Sequence, residues 1–111
     1  MLQLKLSRYK FPIDDYGRNV SFKIYDESGS AFDCSGYTPE LIVLDDNKSH
    51  YIDLITPSWT TQSSGTGTFA FTETKTFGKA GHYFLEIQLT KSGEQTSTEL
   101  QRITAMDSGV D

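Results

Sequence analysis

The sequence predicts an all-β fold of two packed antiparallel sheets, on three observations. Apolar residues recur with period two, and no stretch repeats them at i, i+3, i+4, i+7 as a helix requires. Clusters of turn-forming residues interrupt the chain every ~8–12 residues, the spacing of sandwiches and barrels. Ser and Thr are plentiful while strong helix formers are sparse. The 111 residues are 36% hydrophobic, and the 13% that are aromatic bury the most area per side chain.

The elements follow in order. Leu2, Leu4 and Leu6 alternate with Gln3 and Lys5, which predicts a strand over residues 2–7, with a weaker one at 9–13 around Phe11. Val20, Phe22 and Ile24 alternate with Ser21 and Lys23 and predict 19–25. The run Leu41-Ile42-Val43-Leu44 is continuously apolar, so 38–45 reads as a central strand covered on both sides. Further strands are expected at 50–55, at 66–73 with Phe69 and Phe71 inward, at 82–90 and at 97–105. That makes about seven or eight. Residues 74–79 fit one helical turn crossing between sheets, and residues 106–111 a tail that frays or docks on a neighbour. Asp14-Asp15-Tyr16-Gly17, Asp26-Glu27-Ser28-Gly29, Ser35-Gly36, Asp45-Asp46-Asn47-Lys48, Ser63-Ser64-Gly65 and Lys91-Ser92-Gly93-Glu94 supply the turns.

Ala80-Gly81-His82-Tyr83 carries more detail. A Gly before a strand permits a sharp start. A Tyr there buries its ring and returns its hydroxyl to the preceding loop, as in a tyrosine corner. The expectation is an immunoglobulin-like sandwich. It lacks the antibody-type Cys–Trp–Cys core, since Cys34 has no partner and Trp59 lies in the wrong part of the chain.

Length and charge set the function classes. One domain, 1–111, is expected at this size, with no linker or internal repeat. Ten basic against fifteen acidic residues leave a net charge of -5, which argues against nucleic acid or an anionic membrane as partner. No run approaches the ~20 apolar residues of a membrane span. The alternating N-terminus reads as a strand rather than a signal peptide, and the single cysteine suits a reducing cytoplasm.

Val20-Ser21-Phe22-Lys23-Ile24-Tyr25-Asp26-Glu27-Ser28-Gly29-Ser30-Ala31-Phe32-Asp33-Cys34-Ser35-Gly36-Tyr37-Thr38 resembles the opening of the immunoglobulin-like N-terminal domain of phage baseplate upper proteins. Gly67-Thr68-Phe69-Ala70-Phe71 and Ala80-Gly81-His82-Tyr83 follow in that family's order, so the resemblance spans about residues 15–105. Cys34 stands where the family usually shows Leu. The resemblance implies a non-enzymatic structural and adaptor module of a tailed-bacteriophage virion, made in the host cytoplasm. Such a module docks on baseplate, tail or capsid through exposed strands and loops. Its partners are other virion proteins, as a homo-oligomer or within a symmetric assembly. A capsid decoration or head-fibre protein is the alternative. A carbohydrate-binding module for host attachment is an alternative of another class, and a secreted adhesin-like domain a third.

Chemistry-bearing residues read mostly as structural. The acidic pairs Asp14-Asp15, Asp26-Glu27 and Asp45-Asp46 sit in turns, and adjacent residues on a strand would point apart. A Ca²⁺ site from two such loops is the competing reading. His50 and His82 have no second ligand at zinc spacing, and Cys34 has no basic neighbour to make it a nucleophile. Gly65-Thr66-Gly67 precedes a strand, so it is a turn or bulge rather than a phosphate loop. No catalytic set, metal or cofactor is expected. Trp59 reads either as a lid on the open end of the sandwich or as a contact. With Tyr51 or Tyr37 it would stack on a sugar ring, the main support for carbohydrate. Tyr25 and Phe84 point away from the core by alternation, and Phe84 fits an apolar patch covered by a neighbour or a sheet whose outer edge is covered. Leu2, Leu4, Leu6 and Phe11 are expected on an arm that pairs with other chains. The expected partner contacts are therefore Leu2, Leu4, Leu6, Phe11, Tyr25, Trp59 and Phe84.

Overall fold

Alternation of apolar and polar side chains becomes ten strands among the described residues: β1 (Gln3–Leu6), β2 (Lys10–Pro12), β3 (Val20–Tyr25), β4 (Thr38–Leu44), β5 (Tyr51–Ile55), β6 (Ser58–Thr61), β7 (Thr66–Phe69), β8 (Gly81–Lys91), β9 (Glu94–Ser97) and β10 (Gln101–Met106). The computed structural model describes residues 1–13, 18–48, 51–71 and 79–106, with Tyr51 described by its backbone. The sequence readings at Asp14-Asp15, at His50, at residues 72–78 and in the tail beyond Met106 lie outside the described residues.

The strands form two sheets. One has the order β1-β3-β7-β6; the other runs β2-β10-β8-β4-β5, with β9 also paired to β8. Pairing is antiparallel except between β2 and β10, which run parallel. That pair departs from the all-antiparallel expectation. It arises because the chain leaves β1 after three residues and crosses to the edge of the second sheet. There Tyr9 accepts from Thr104 N–H at 2.8 Å, and Met106 from Ile13 N–H at 2.8 Å.

Inward residues of both sheets form one core. Leu4, Leu6, Val20, Phe22, Ile24 and Phe69 come from the first sheet; Phe11, Leu41, Val43, Tyr83, Leu85, Ile87, Leu89, Ile103 and Ala105 come from the second. Phe71 follows β7 and meets Phe11 edge-on at 5.2 Å and Phe69 at 5.6 Å. The first sheet lies close over this core at Gly67, where a Cβ would come within 2.6 Å of the Phe22 ring and 2.5 Å of the Ser58 carbonyl.

Two elements differ from the sequence expectation. Trp59 lies in edge strand β6, not in a loop, because its indole packs inward against Phe22 at 5.9 Å while Ser58 and Thr60 face out. The expected strand at 97–105 is two strands on the same side of β8: β9 pairs with Gln88–Lys91 and β10 with Gly81–Leu85. Thr98 carries the ladder across the junction. Its N–H donates to the Ile87 carbonyl at 3.0 Å, and its hydroxyl accepts from Ile87 N–H at 3.0 Å. Buried backbone groups need partners, so this side chain stands in for missing strand.

Candidate docking face

The outer face of the second sheet carries an apolar patch where β4 meets β5, whereas Glu40, Gln88 and Thr104 keep the rest of that face polar, as is usual for an exposed antiparallel sheet. Its rows follow from register, since directly paired residues share a face. Leu54, Ile42 and Glu86 form one row across β5, β4 and β8. Leu44, Phe84 and Arg102 form the next across β4, β8 and β10. Ile52 precedes Leu54 on β5 at a bulge, where the pairing with β4 slips between Val43 and Leu44. The run at Leu41–Leu44 explains this: period two sends Leu41 and Val43 into the core and Ile42 and Leu44 outward. Ile42 is only 3% exposed, whereas Leu54 and Ile52 are 49% and 36% exposed at the rim. The Lys48 ammonium lies 4.6 Å over the Phe84 ring. Glu86 is half-buried in this apolar setting, and loss of water raises its carboxyl above the ordinary carboxylate value.

Two edges are blunted, β1 of the first sheet and β5 of the second. On β1, Leu6 N–H donates to the Tyr9 hydroxyl at 3.0 Å, and the Leu2 carbonyl accepts from Glu99 N–H at 2.8 Å. On β5, Leu54 N–H donates to the Asp53 carboxylate at 2.9 Å. Groups already bonded give an added strand little to pair with.

The seven expected contact residues do not converge. Leu2, Leu4, Leu6 and Phe11 are buried in the core, at 8%, 1%, 8% and 0% exposure. Their expected role as an exposed arm is corrected: the register of β1 with β3 turns Leu4 and Leu6 inward, Leu2 bridges to Thr98, and Phe11 packs into the core from β2 in the second sheet. Trp59 is half-buried at the rim. Tyr25 lies on the outer face of the first sheet, with the Lys5 and Lys23 ammoniums each 5.2 Å from its ring. Phe84 lies on the opposite side of the sandwich. Trp59 and Tyr37 have different neighbours: Tyr37 packs tilted against Phe32 at 6.1 Å and Trp59 tilted against Phe22 at 5.9 Å.

The remaining candidates have local partners. Asp26 accepts from Ser28 N–H, the Ser28 hydroxyl and Ser30 N–H, so its carboxyl is held below the ordinary range. Asp45 and Asp46 line an open cleft with His82, and the described residues hold no group of three or more His, Cys, Asp or Glu fit to bind a metal. Cys34 is fully buried; burial, then the Asp33 charge, push its thiol up to about 11, opposite to what a nucleophile needs. Tyr83 donates its hydroxyl to the Lys79 carbonyl at 2.7 Å, four residues upstream, as its position at the strand start led us to expect. What sequence reasoning missed is the partnership of Leu54 and Ile42. Its signal was the unbroken apolar run in β4, which reads equally as a strand sandwiched between layers. Comparison with known proteins finds no family model that matches this chain and no curated protein that matches its sequence.

Proposed function

We propose that this chain is a non-enzymatic structural and adaptor module of a tailed-bacteriophage virion, built on an immunoglobulin-like sandwich and docked on baseplate, tail or capsid. The strand orders support the immunoglobulin-like reading. β1-β3-β7-β6 corresponds to the four-stranded A-B-E-D sheet of that fold, and β10-β8-β4-β5 to G-F-C-C′. The Tyr83 hydroxyl bond supports it as a tyrosine corner. The order of motifs from Val20 to Tyr83 supports the virion assignment.

The observation that carries docking is the apolar patch of Ile42, Leu44, Leu54 and Phe84 on the outer face of the second sheet. Leu54 is the exposed part of this patch, beside the buried Ile42, and an exposed apolar patch is the kind of surface that a protein partner covers. With β1 and β5 blunted, this reading replaces strand pairing by face-to-face packing against a neighbouring virion protein. The test is Leu54→Glu, at the exposed rim of the face. It is expected to keep the wild-type urea midpoint and to be missing from purified particles. A variant that folds and is incorporated normally overturns the proposal. Leu54→Ser is the milder second variant, expected to reduce copy number per particle.

A further inference from the structure

The opposite side of the sandwich holds a groove of different chemistry. It runs over the outer face of the first sheet, has a volume of ≈ 370 Å³, and is lined by Lys5, Ser7, Ser21, Lys23, Thr60 and Thr66 above Phe22 and Gly67. It is a shallow, wide-open depression rather than an enclosed pocket. No carboxylate lines it, although the chain carries 15 acidic residues against 10 basic ones. Lys5 and Lys23 stand directly opposite each other across β1 and β3. Like charges in that register repel, so the pairing is an unfavourable one for the free protein. Neither ammonium has a carboxylate partner among the described residues; both are held by the Tyr25 ring, each 5.2 Å from its centre. The two charges lie toward Tyr25, at the border of the depression, and the hydroxyl side chains lie along it. Ser7 uses its oxygen to accept from Ser21 N–H at 3.1 Å, which leaves its proton to donate. Thr66 donates to the Thr61 carbonyl at 3.3 Å and keeps its oxygen as an acceptor. The Ser21 and Thr60 hydroxyls bond to nothing among the described residues.

We infer that this groove binds an acidic saccharide, its carboxylate between Lys5 and Lys23 and its hydroxyls along Ser7, Ser21, Thr60 and Thr66. Opposite charge relieves the Lys5–Lys23 repulsion, and charge-assisted bonds from ammonium to carboxylate are stronger than neutral ones. Small hydroxyl side chains that both donate and accept match a polyol. A protein partner matches less well, because the buried centres of protein interfaces are depleted in Lys and Ser and enriched in aromatics. The Tyr25 ring serves here as the support of the two lysines. The inference is independent of the docking face, which lies on the other side of the sandwich, so both can be occupied at once.

The test uses the full chain and an oligogalacturonate, with neutral dextran oligomers, inorganic phosphate and a polyglutamate peptide as comparison probes in titration calorimetry. The expected result is binding of the oligogalacturonate that weakens as salt rises, as screening requires. The double variant Lys5→Gln with Lys23→Gln should lose tenfold or more in affinity while its urea midpoint stays at or above wild type. Absence of oligogalacturonate binding overturns the inference, as does binding that the double variant leaves intact. Equal binding of dextran removes the role of charge and overturns it too. Equal or tighter binding of polyglutamate makes the occupant an acidic protein segment, and equal binding of phosphate makes it a bare anion; either outcome overturns the saccharide.

Discussion

Cys34 and Glu86 each carry an ionisable group into surroundings that oppose its charge, and each turns the fold into a pH-dependent object. The unfolded thiol titrates near 9.0 and the folded one near 11. Between those values the unfolded chain releases its proton first, so stability falls as pH rises from 9 toward 11. Cys34→Ala is expected to remove that part of the alkaline loss, measured as urea midpoints across the window. A thiol reagent at pH ~8 should leave the native protein unlabelled and label it in urea, because the thiolate is both scarce and buried. For Glu86 the folded carboxyl lies above its ordinary value. The folded state therefore holds the proton longer, and ionisation costs stability once pH rises through the carboxylate range. Glu86→Gln should raise the urea midpoint at neutral pH, and the gain should vanish below pH ~4, where both states are protonated. An unchanged midpoint at neutral pH would show the carboxylate to be fully hydrated.

At the scale of elements, β1 decides between two pictures of the N-terminus. The leucine alternation is visible in the sequence, but it is the same for a core strand and for an arm that pairs with a neighbour. The register Leu4↔Ile24 and Leu6↔Phe22 turns it into core. Leu4→Ala is expected to cost about 2–5 kcal/mol, the ordinary range for a large-to-small change in a packed core. A urea titration shifted by well under 1 kcal/mol would restore the arm. Deleting residues 1–7 should abolish the cooperative transition rather than release a functional tail. The bonds from Leu6 N–H to Tyr9 and from Glu99 N–H to Leu2 also close this edge to other strands. Strand β6 shows the converse difficulty. A single Trp59 among Ser and Thr has no repeat to reveal its period, so a strand that packs one indole inward looks like a loop.

Over the whole molecule, two outer faces divide the surface chemistry. One carries Ile42, Leu44, Leu54 and Phe84; the other carries Lys5, Lys23 and several hydroxyls. A partner packed on the apolar face would strip the remaining water from Glu86 and raise its carboxyl further. Docking should then take up a proton and strengthen as pH falls toward the carboxylate range. Glu86→Gln should remove that dependence, read, on the proposed virion role, as particle occupancy against pH. A dependence that persists in the variant would assign it to another group on the face.

The sequence by itself determined the all-β class, most strand positions, and the inward set Val20, Phe22, Ile24, Tyr83, Leu85 and Ile87. Period two and turn residues act through neighbours along the chain, so they are legible without a third dimension. The Tyr83 hydroxyl bond was legible for the same reason, since its acceptor lies four residues away. Which sheet each strand joins was decided only in the tertiary structure. So were the parallel pairing of β2 with β10, the break at Thr98 and the inward turn of the N-terminal leucines. The two candidate surfaces belong to the same class. Leu54 meets Ile42 and Lys5 meets Lys23 through pairings between residues far apart in the chain, and side-chain alternation is identical whichever partner a strand finds.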